Sequence, residues 1–535
     1  MKSPGEILLI SCYELGRQPL GLAFPLGALR EAGYRPAAID LAVEPLDEEC
    51  VRRARFVGIS VPMHTATRIG AAAARRVRDI NPRAHLCFYG LYATLNTASL
   101  AGLADAILGP DSASALVELV RRIEDEGEPV AAGPPASSVA SHRPGRVLPA
   151  GPLDSPLRSL DRSAPASDFT GPDTAGSAGI QRGAIPRPSR DGLPPLARYA
   201  RLERDGTAFL AGSVEATRGC LHLCRHCPIP PVYEGRFFVV PKKIVLDDIA
   251  FLVDAGARHI TFADADFLNG PGHVMPIVRA MHERFQNLTF DVTAKIEHLL
   301  KHRRLLPELA NLGCLFIVSA VESVSDEVLF RLRKGHTRAD VDKALAVCAE
   351  AGISLRPSLL PFTPWSDLED LSDLLEFVET RDLIETVDPV YWSIRLLLPP
   401  GSLLLDDDIV SSVLGPLDPE GFSYRWSHPD PRVDALQRQI ARLVEAAEGR
   451  GDDPAATFER VRRMLHWTHA GEGATAERAL AEPASADGVI KEPRFPAGAG
   501  VPAGSIAGAN AVAGPNGEYL PFRLRSPRLT ESWFC

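Results

Sequence analysis

An α/β chain with two separate parallel sheets is what three observations in this sequence predict. Short apolar runs alternate with helix-period segments over the first 130 or so residues, the same alternation resumes between about 196 and 405, and an interval rich in Pro, Ser, Gly, Ala and Asp lies between them. Strands alternating with helices imply parallel strands joined by right-handed crossovers. A chain of 535 residues is long enough for two sizeable cores with appendages. The expected order is a doubly wound domain over 1–130, a linker over 131–195, a partial (β/α)6 barrel over 196–405, a small helical cap over 406–470 and a tail over 471–535.

The elements of the first unit follow from apolar spacing. Glu6–Ser11 reads as a buried strand, Leu20–Ala32 as a helix, Arg35–Leu41 and Phe56–Val61 as strands, Ala66–Ile80 as a helix and Ala84–Tyr89 as a strand. Ala104–Leu108 and Ser112–Glu124 complete the series, and a cleft at the carboxyl ends of such strands is the expected ligand site. Residues 131–195 lack sustained apolar periodicity and read as a long linker.

In the second unit Ile244–Ala255 is an amphipathic helix, His259–Ala263 a strand, Val274–Phe285 a helix and Leu288–Lys295 a strand. Helical Leu305–Leu312, strand Cys314–Ala320, helical Arg338–Ala351, strand Ile353–Leu360, helical Leu368–Thr380 and strand Tyr391–Leu398 continue it to about six units. Pro431–Glu448 and Ala455–His466 are expected as helices of a cap. The Ala-, Gly- and Pro-rich residues 471–515 are expected to form a mobile arm.

Composition excludes several classes. Net charge is −10 and the basic residues form no stripe, which argues against a nucleic-acid partner. No apolar run of about 18 residues is present, so no membrane span is expected. Nine cysteines scattered without an N-terminal signal segment fit a reducing cytoplasm rather than a disulfide framework. Cys12, Cys50, Cys87, Cys314 and Cys348 sit in apolar or mixed runs and read as small packing residues.

The remaining motif is Cys220-Leu-His-Leu-Cys224-Arg-His-Cys227, three cysteines in CxxxCxxC spacing. Three thiolates on one loop can hold three irons of a [4Fe–4S] cluster and leave the fourth open to a small molecule. Zinc completed by His222 or His226 is the alternative, but structural zinc draws on two separated ligand pairs and no second CxxC exists.

With the strand-like Ser213–Thr217 before it and alternating strands and helices after it, this motif resembles the radical S-adenosylmethionine (SAM) superfamily over about residues 198–405. The resemblance implies a [4Fe–4S] cluster on Cys220, Cys224 and Cys227, SAM bound through its amino and carboxylate groups to the open iron, and an electron donor such as flavodoxin or ferredoxin.

Functional groups in such barrels collect at the carboxyl ends of strands, which makes Asp264, Asp266, Lys295, Glu297, Ser319, Glu322, Ser323 and Arg356 candidates for cofactor binding. The superfamily's Gly-Gly-Glu-like motif is replaced by Ala263-Asp-Ala-Asp-Phe267. His226 stands where relatives place a residue that shields the cluster. His298 and His302, four apart, can in principle grip a metal, although Lys301, Arg303 and Arg304 beside them read as a solvated basic face.

A doubly wound domain ahead of this core resembles the Rossmann-like cobalamin-binding domain of one branch of the superfamily. Here the loop that supplies a histidine to cobalt in some relatives is Ser11-Cys-Tyr-Glu-Leu-Gly16, without histidine. Bulky Tyr89-Gly-Leu-Tyr92 replaces a Gly-Gly pair. Cobalamin bound without a protein lower ligand and a domain that retains only the fold are the two alternatives.

Further runs, including Lys295–His302, Ala320–Ser323, Lys334–Thr337 and Pro361–Trp365, resemble a group of radical SAM proteins ending in Cys-Sec-Ala-Glu-Pro or Cys-Cys-Ala-Glu-Pro. The resemblance implies a chain continuing past Cys535 through a selenocysteine codon, with Cys535 as a catalytic tail thiol. The expected function is reductive SAM cleavage with transfer or modification of a group on a small-molecule substrate. A cobalamin-dependent radical methyltransferase and a zinc-organised binding module are the rivals.

Overall fold

The computed structural model describes residues 1–125, 185–481 and 528–530, so Cys535 lies outside the described residues. The first unit comprises β1 (Ile7–Ser11), α1 (Leu20–Glu31), β2 (Ala37–Asp40), α2 (Glu48–Arg53), β3 (Phe56–Ser60), α3 (His64–Ile80), β4 (His85–Tyr89), α4 (Leu91–Leu95), α5 (Thr97–Leu100), β5 (Ala106–Leu108) and α6 (Ser112–Asp125). Its strands are all parallel, in the order β2-β1-β3-β4-β5. Both faces are covered, which is why β1 is apolar without a break: Ile7 and Leu9 pack with α1 and α6, and Leu8 and Ile10 with α3.

The second unit runs β6 (Arg201–Arg204), β7 (Thr207–Val214), β8 (Thr217–Gly219), α7 (Pro230–Tyr233), β9 (Phe237–Val239), α8 (Lys242–Asp254), β10 (His259–Phe262), α9 (Pro271–Arg284), β11 (Thr289–Thr293), α10 (Ile296–Lys301) and α11 (Leu306–Asn311). It continues through β12 (Cys314–Glu322), α12 (Asp326–Arg331), α13 (Arg338–Glu350), β13 (Ser354–Leu359) and α14 (Leu368–Thr380). The cap follows as α15 (Asp408–Val413), β14 (Leu414–Asp418), β15 (Ser423–Trp426), α16 (Pro431–Arg450), α17 (Pro454–His469) and α18 (Ala476–Ala481), and β16 (Arg528–Leu529) closes the list of elements.

The large sheet has the order β13-β12-β11-β10-β7-β6-β16. Its parallel part is β7, β10, β11, β12 and β13, and β6 and β16 extend the β7 edge antiparallel. The expected sixth parallel strand over Tyr391–Leu398 is absent. Pro389–Ser393 forms a 3-10 turn and one parallel bridge, Phe362 to Arg395, remains. This stretch packs against the cap instead: Gln437 Nε2 donates to the Ser393 carbonyl at 3.0 Å, and Trp392 packs edge-on to Phe458 at 5.4 Å. Residues expected in the arm are also built in, since Ala476 and Ala479 of α18 are buried against α16 and α17. Among the described residues no helix is long and apolar enough to cross a membrane.

The end of the expected linker is structural. Ser189 N–H donates to the Ala23 carbonyl of α1 at 2.8 Å. Beside it the Arg190 fork bonds both oxygens of Asp248 on α8 at 2.7 and 2.8 Å, Gln18 Oε1 of the first unit at 2.7 Å and the Ser213 carbonyl of β7 at 2.5 Å. Its side chain is 1 % exposed. Tyr199 OH to Asp40 at 2.9 Å and Ala200 N–H to the Gly16 carbonyl at 2.8 Å add further ties. Removing one partner of a buried ion pair strands the other charge, so Arg190→Ala is expected to cost about 3–5 kcal/mol in urea unfolding. Lysine cannot reproduce the fork, so Arg190→Lys is expected to rescue little of it. An unchanged midpoint in Arg190→Ala refutes the clamp.

Candidate active site

The cysteine loop is fastened at both ends before it begins. β8 pairs antiparallel with β9, and Gly219, at φ +83°, opens the loop where an added Cβ would lie 2.5 Å from the Arg236 carbonyl oxygen. Asp264, at the end of β10, accepts the Ala216 N–H at 3.0 Å and the Thr217 hydroxyl at 2.5 Å. Burial pushes its carboxyl up to about 7 against those hydrogen bonds. On the outer side Arg225 N–H donates to the Leu332 carbonyl, and its guanidinium meets Asp407 at 3.1 Å.

Cys220, Cys224 and Cys227 are free thiols, and Cys220 and Cys224 are buried. Burial raises Cys220 and pushes Cys227 up to about 12, and the neighbouring sulfurs raise both further. Metal coordination is what converts such thiols to thiolates at neutral pH. Donors are already in place: His222 N–H points at Cys220 Sγ at 3.5 Å, and Ile229 N–H serves Cys227. Three free sulfurs on one loop, none paired in a disulfide, fit a three-cysteine iron–sulfur site.

Two clusters of ionisable groups flank the loop. On one side Glu322, ending β12, takes His226 Nε2 at 3.2 Å and Lys334 Nζ at 3.3 Å on one oxygen. Glu322 sits at φ +67°, where the β12–β13 register shifts, so its backbone is strained. Burial alone would raise its carboxyl, but the Lys334 ammonium and the His226 imidazole overcome this and hold it at about 2. His336, close by, is pushed down to about 4 by burial and by Lys334.

On the other side His222 Nε2 lies 3.2 Å from His298 Nε2, and His298 Nδ1 lies 2.8 Å from Asp266 Oδ2. Burial, with Lys295 and His298 adding to it, pushes His222 down to about 4. Lys295 Nζ pairs with Glu297 at 3.3 Å. The expectation of a solvated basic face for His298 is corrected: the residue is buried and faces the cysteine loop, while its i+4 neighbour His302 only touches it edge-on at 5.7 Å.

Asp266, Lys295 and Glu322 therefore gather around the cysteines, whereas other expected cofactor contacts are engaged elsewhere. Asp264 holds the approach to the loop, Ser319 Oγ donates to the Ala294 carbonyl at 2.7 Å, and Arg356 pairs with Asp388 at 2.7 Å. Lys334 carried no role in the sequence reading, although it is 2 % exposed and central here. Its only local signal was a Lys-Gly-His turn between two helices.

The carboxyl edge of the N-terminal sheet faces this mouth. Between them is a cavity of about 390 Å³ lined by Glu14, Ser60, Tyr89 and Gly90 on one side and Glu215, Arg218 and Tyr233 on the other. Arg218 spans the two units, 2.7 Å from Glu215 and 3.4 Å from Asp111 and stacked over Phe24 at 4.6 Å. Glu14 accepts the Leu20 and Gly21 N–H groups at 2.9 Å each, and burial followed by Asp40 pushes it up to about 8. Tyr89 donates its hydroxyl to the Gly21 carbonyl at 2.8 Å and is buried with Tyr92, so the two tyrosines leave the cavity open.

Residues 214–375 match the Radical SAM superfamily. The tRNA-2-methylthio-N(6)-dimethylallyladenosine synthase of Syntrophotalea carbinolica is 27 % identical over 261 residues, 45 % of this chain and 53 % of that one. The bacteriochlorophyllide d C-8(2)-methyltransferase of Chlorobaculum tepidum is 29 % identical over 203 residues, 35 % of this chain and 44 % of that one. The chain spans about half the length of the curated relatives it matches. Among solved structures, the cobalamin-dependent S-adenosylmethionine radical enzyme OxsB with aqua-cobalamin bound superposes with a TM-score of 0.58 at 14 % identity, over 86 % of this chain and 72 % of that one. The radical S-adenosylmethionine methyltransferase TsrM from Kitasatospora setae, with cobalamin and a [4Fe-4S] cluster bound, gives 0.51 at 17 % over 71 % of each chain. At these identities the likeness is one of fold.

The Glu322–Lys334 pair makes a signed prediction. A carboxylate held at about 2 adds stability above the unfolded glutamate value of about 4.3, and that stability is lost as pH falls toward 2. Lys334→Met strands the buried carboxylate and is expected to cost about 3 kcal/mol at pH 7. Without the ammonium, burial raises Glu322, and its protonation on acidification relieves the buried charge. The deficit against the parent protein, read from urea midpoints, should therefore shrink between pH 7 and pH 5. An equal deficit at both pH values counts against the pair.

Proposed function

We propose, from the match of residues 214–375 to the Radical SAM superfamily, that this chain is an enzyme that cleaves SAM reductively and transfers or modifies a group on a small-molecule substrate. The observation carrying this reading is the buried three-thiol loop of Cys220, Cys224 and Cys227 at the carboxyl edge of a parallel half-barrel. Cys220, Cys224 and Cys227 would hold a [4Fe–4S] cluster, which would supply the electron that cleaves the SAM sulfonium and a site for the SAM amino and carboxylate groups. The protein's own groups do the positioning. Asp264 fixes the approach to the loop, Lys334, Glu322 and His226 present a polarised wall on one side, and Lys295 with Glu297 presents another. Buried Lys295 and Lys334 suit an anionic group of SAM. A one-electron donor of the flavodoxin or ferredoxin class completes the requirement.

A second reading is favoured by the cavity between the two carboxyl edges, which suits a bulky cofactor such as cobalamin in a methyl transfer. The loop Ser11–Gly16 brings Glu14 and no histidine to it, so this reading requires cobalt without a protein lower ligand.

The tail belongs to the proposal as a participating thiol. β16 is antiparallel to β6 and so runs in the direction of β7, toward the edge that carries the cysteine loop.

Anaerobic reconstitution with iron and sulfide, reduction in the presence of SAM, and mass spectrometry of the products test the assignment. Cys224→Ala is expected to lose the cluster and, with it, formation of 5′-deoxyadenosine or methylthioadenosine; an undiminished yield sinks the assignment. Added hydroxocobalamin that fails to remain bound after gel filtration removes the second reading. Cys535→Ser is expected to keep the full iron content while losing transfer to substrate, and full transfer in that variant removes the tail from the mechanism.

A further inference from the structure

We infer that His222, His298 and Asp266 form a mononuclear site for a divalent cation of the zinc class, separate from the three cysteines and sharing their loop. One ligand atom from each residue lies within 4.8 Å of the others. The two Nε2 atoms are 3.2 Å apart, Asp266 Oδ2 is 3.6 Å from His222 Nε2, and it is 2.8 Å from His298 Nδ1. A tetrahedral ion with bonds of about 2.0–2.1 Å to nitrogen and oxygen spaces its ligand atoms about 3.3 Å apart, close to the 3.2 Å between the two Nε2 atoms and the 3.6 Å between His222 Nε2 and Asp266 Oδ2; the 2.8 Å contact is to the other nitrogen of the His298 ring.

The site is built rather than incidental. Asp266 is fully buried and His298 nearly so, and Asp266 Oδ2 has only the two imidazoles near it, at 2.8 and 3.6 Å, without a hydrogen bond of good geometry to either. A buried carboxylate that faces only imidazoles is well served by a cation shared with them. The other carboxylate oxygen, Oδ1, accepts the Leu268 N–H at 3.0 Å, which fixes the group with Oδ2 toward the histidines. Behind His222, Nδ1 faces Glu297 Oε2 at 3.7 Å, and Lys295 holds that carboxylate. A carboxylate behind a ligating imidazole orients the ring and strengthens it as a ligand. Three protein ligands, with His222 part-exposed, leave a fourth position for water or a lone-pair donor of the substrate.

The site is independent of which SAM bond breaks, and its test reads metal rather than turnover. The full-length protein is reconstituted anaerobically with iron and sulfide, given one equivalent of Zn²⁺ alone, desalted and analysed for both metals. The expected result is one zinc per chain beside an intact cluster, with a zinc-edge X-ray absorption spectrum showing a nitrogen and oxygen shell at about 2.0 Å and no sulfur near 2.3 Å. His298→Asn and Asp266→Asn are each expected to weaken zinc binding at least tenfold at unchanged iron content. Glu297→Gln is expected to weaken it by about tenfold, as loss of a supporting carboxylate does. No retained zinc in the parent protein, a sulfur shell around it, or undiminished zinc in both ligand variants overturns the site. The parent measurement decides even if a variant fails to load its cluster.

Discussion

One buried guanidinium sets the geometry of this molecule. Arg190 reaches the first unit through Gln18, the half-barrel strand β7 through the Ser213 carbonyl and the half-barrel helix α8 through Asp248. Because the fork is planar and every partner occupies a fixed direction, the two sheets are held in one mutual orientation rather than merely tethered. Parallel sheets concentrate reactive loops at their carboxyl edges. In this protein the two edges are turned toward each other, and the cavity and the cysteine loop lie where they meet.

That confrontation explains the electrostatics. Carboxyl groups at the mouth share a similar degree of burial and differ in what faces them. Asp264, buried among neutral donors and near the Glu215 carboxylate, rises to about 7, while Glu322 meets an ammonium and an imidazole and falls to about 2. The thiols of Cys220 and Cys227 rise because burial outweighs everything that faces them, the Lys334 ammonium near Cys227 included. Their environment is one that a metal cluster completes. Asp266 turns one oxygen to two imidazoles, at 2.8 and 3.6 Å, and, among the described residues, to no cationic side chain.

Much of the fold was legible. Apolar runs such as Ile7–Ser11 and Cys314–Glu322 recur between helix-period segments, and burial on both sheet faces leaves that pattern in the chain itself. Tyr391–Leu398 misled for a physical reason: it packs against the cap helices, with Gln437 of α16 on the Ser393 carbonyl and Trp392 on Phe458, and an apolar run alone does not say whether its partner is a strand or a helix. The linker between the units misled similarly, because a Pro- and Ser-rich stretch shows no sign that one arginine within it is buried.

At the site, the sequence by itself singled out the three cysteines, since their spacing along one loop is local information. It also placed Asp266, Lys295 and Glu322 near strand ends, where a parallel half-barrel gathers its side chains. Only the tertiary structure decided which of those groups face the mouth and which are committed elsewhere, as Asp264, Ser319 and Arg356 are. It also exchanged the i, i+4 partner of His298 for His222, 76 positions away. Hydrogen bonds and ion pairs of that kind form between residues brought together by chain crossovers, and their energies depend on burial and direction, neither of which is written in the spacing of residues along one segment.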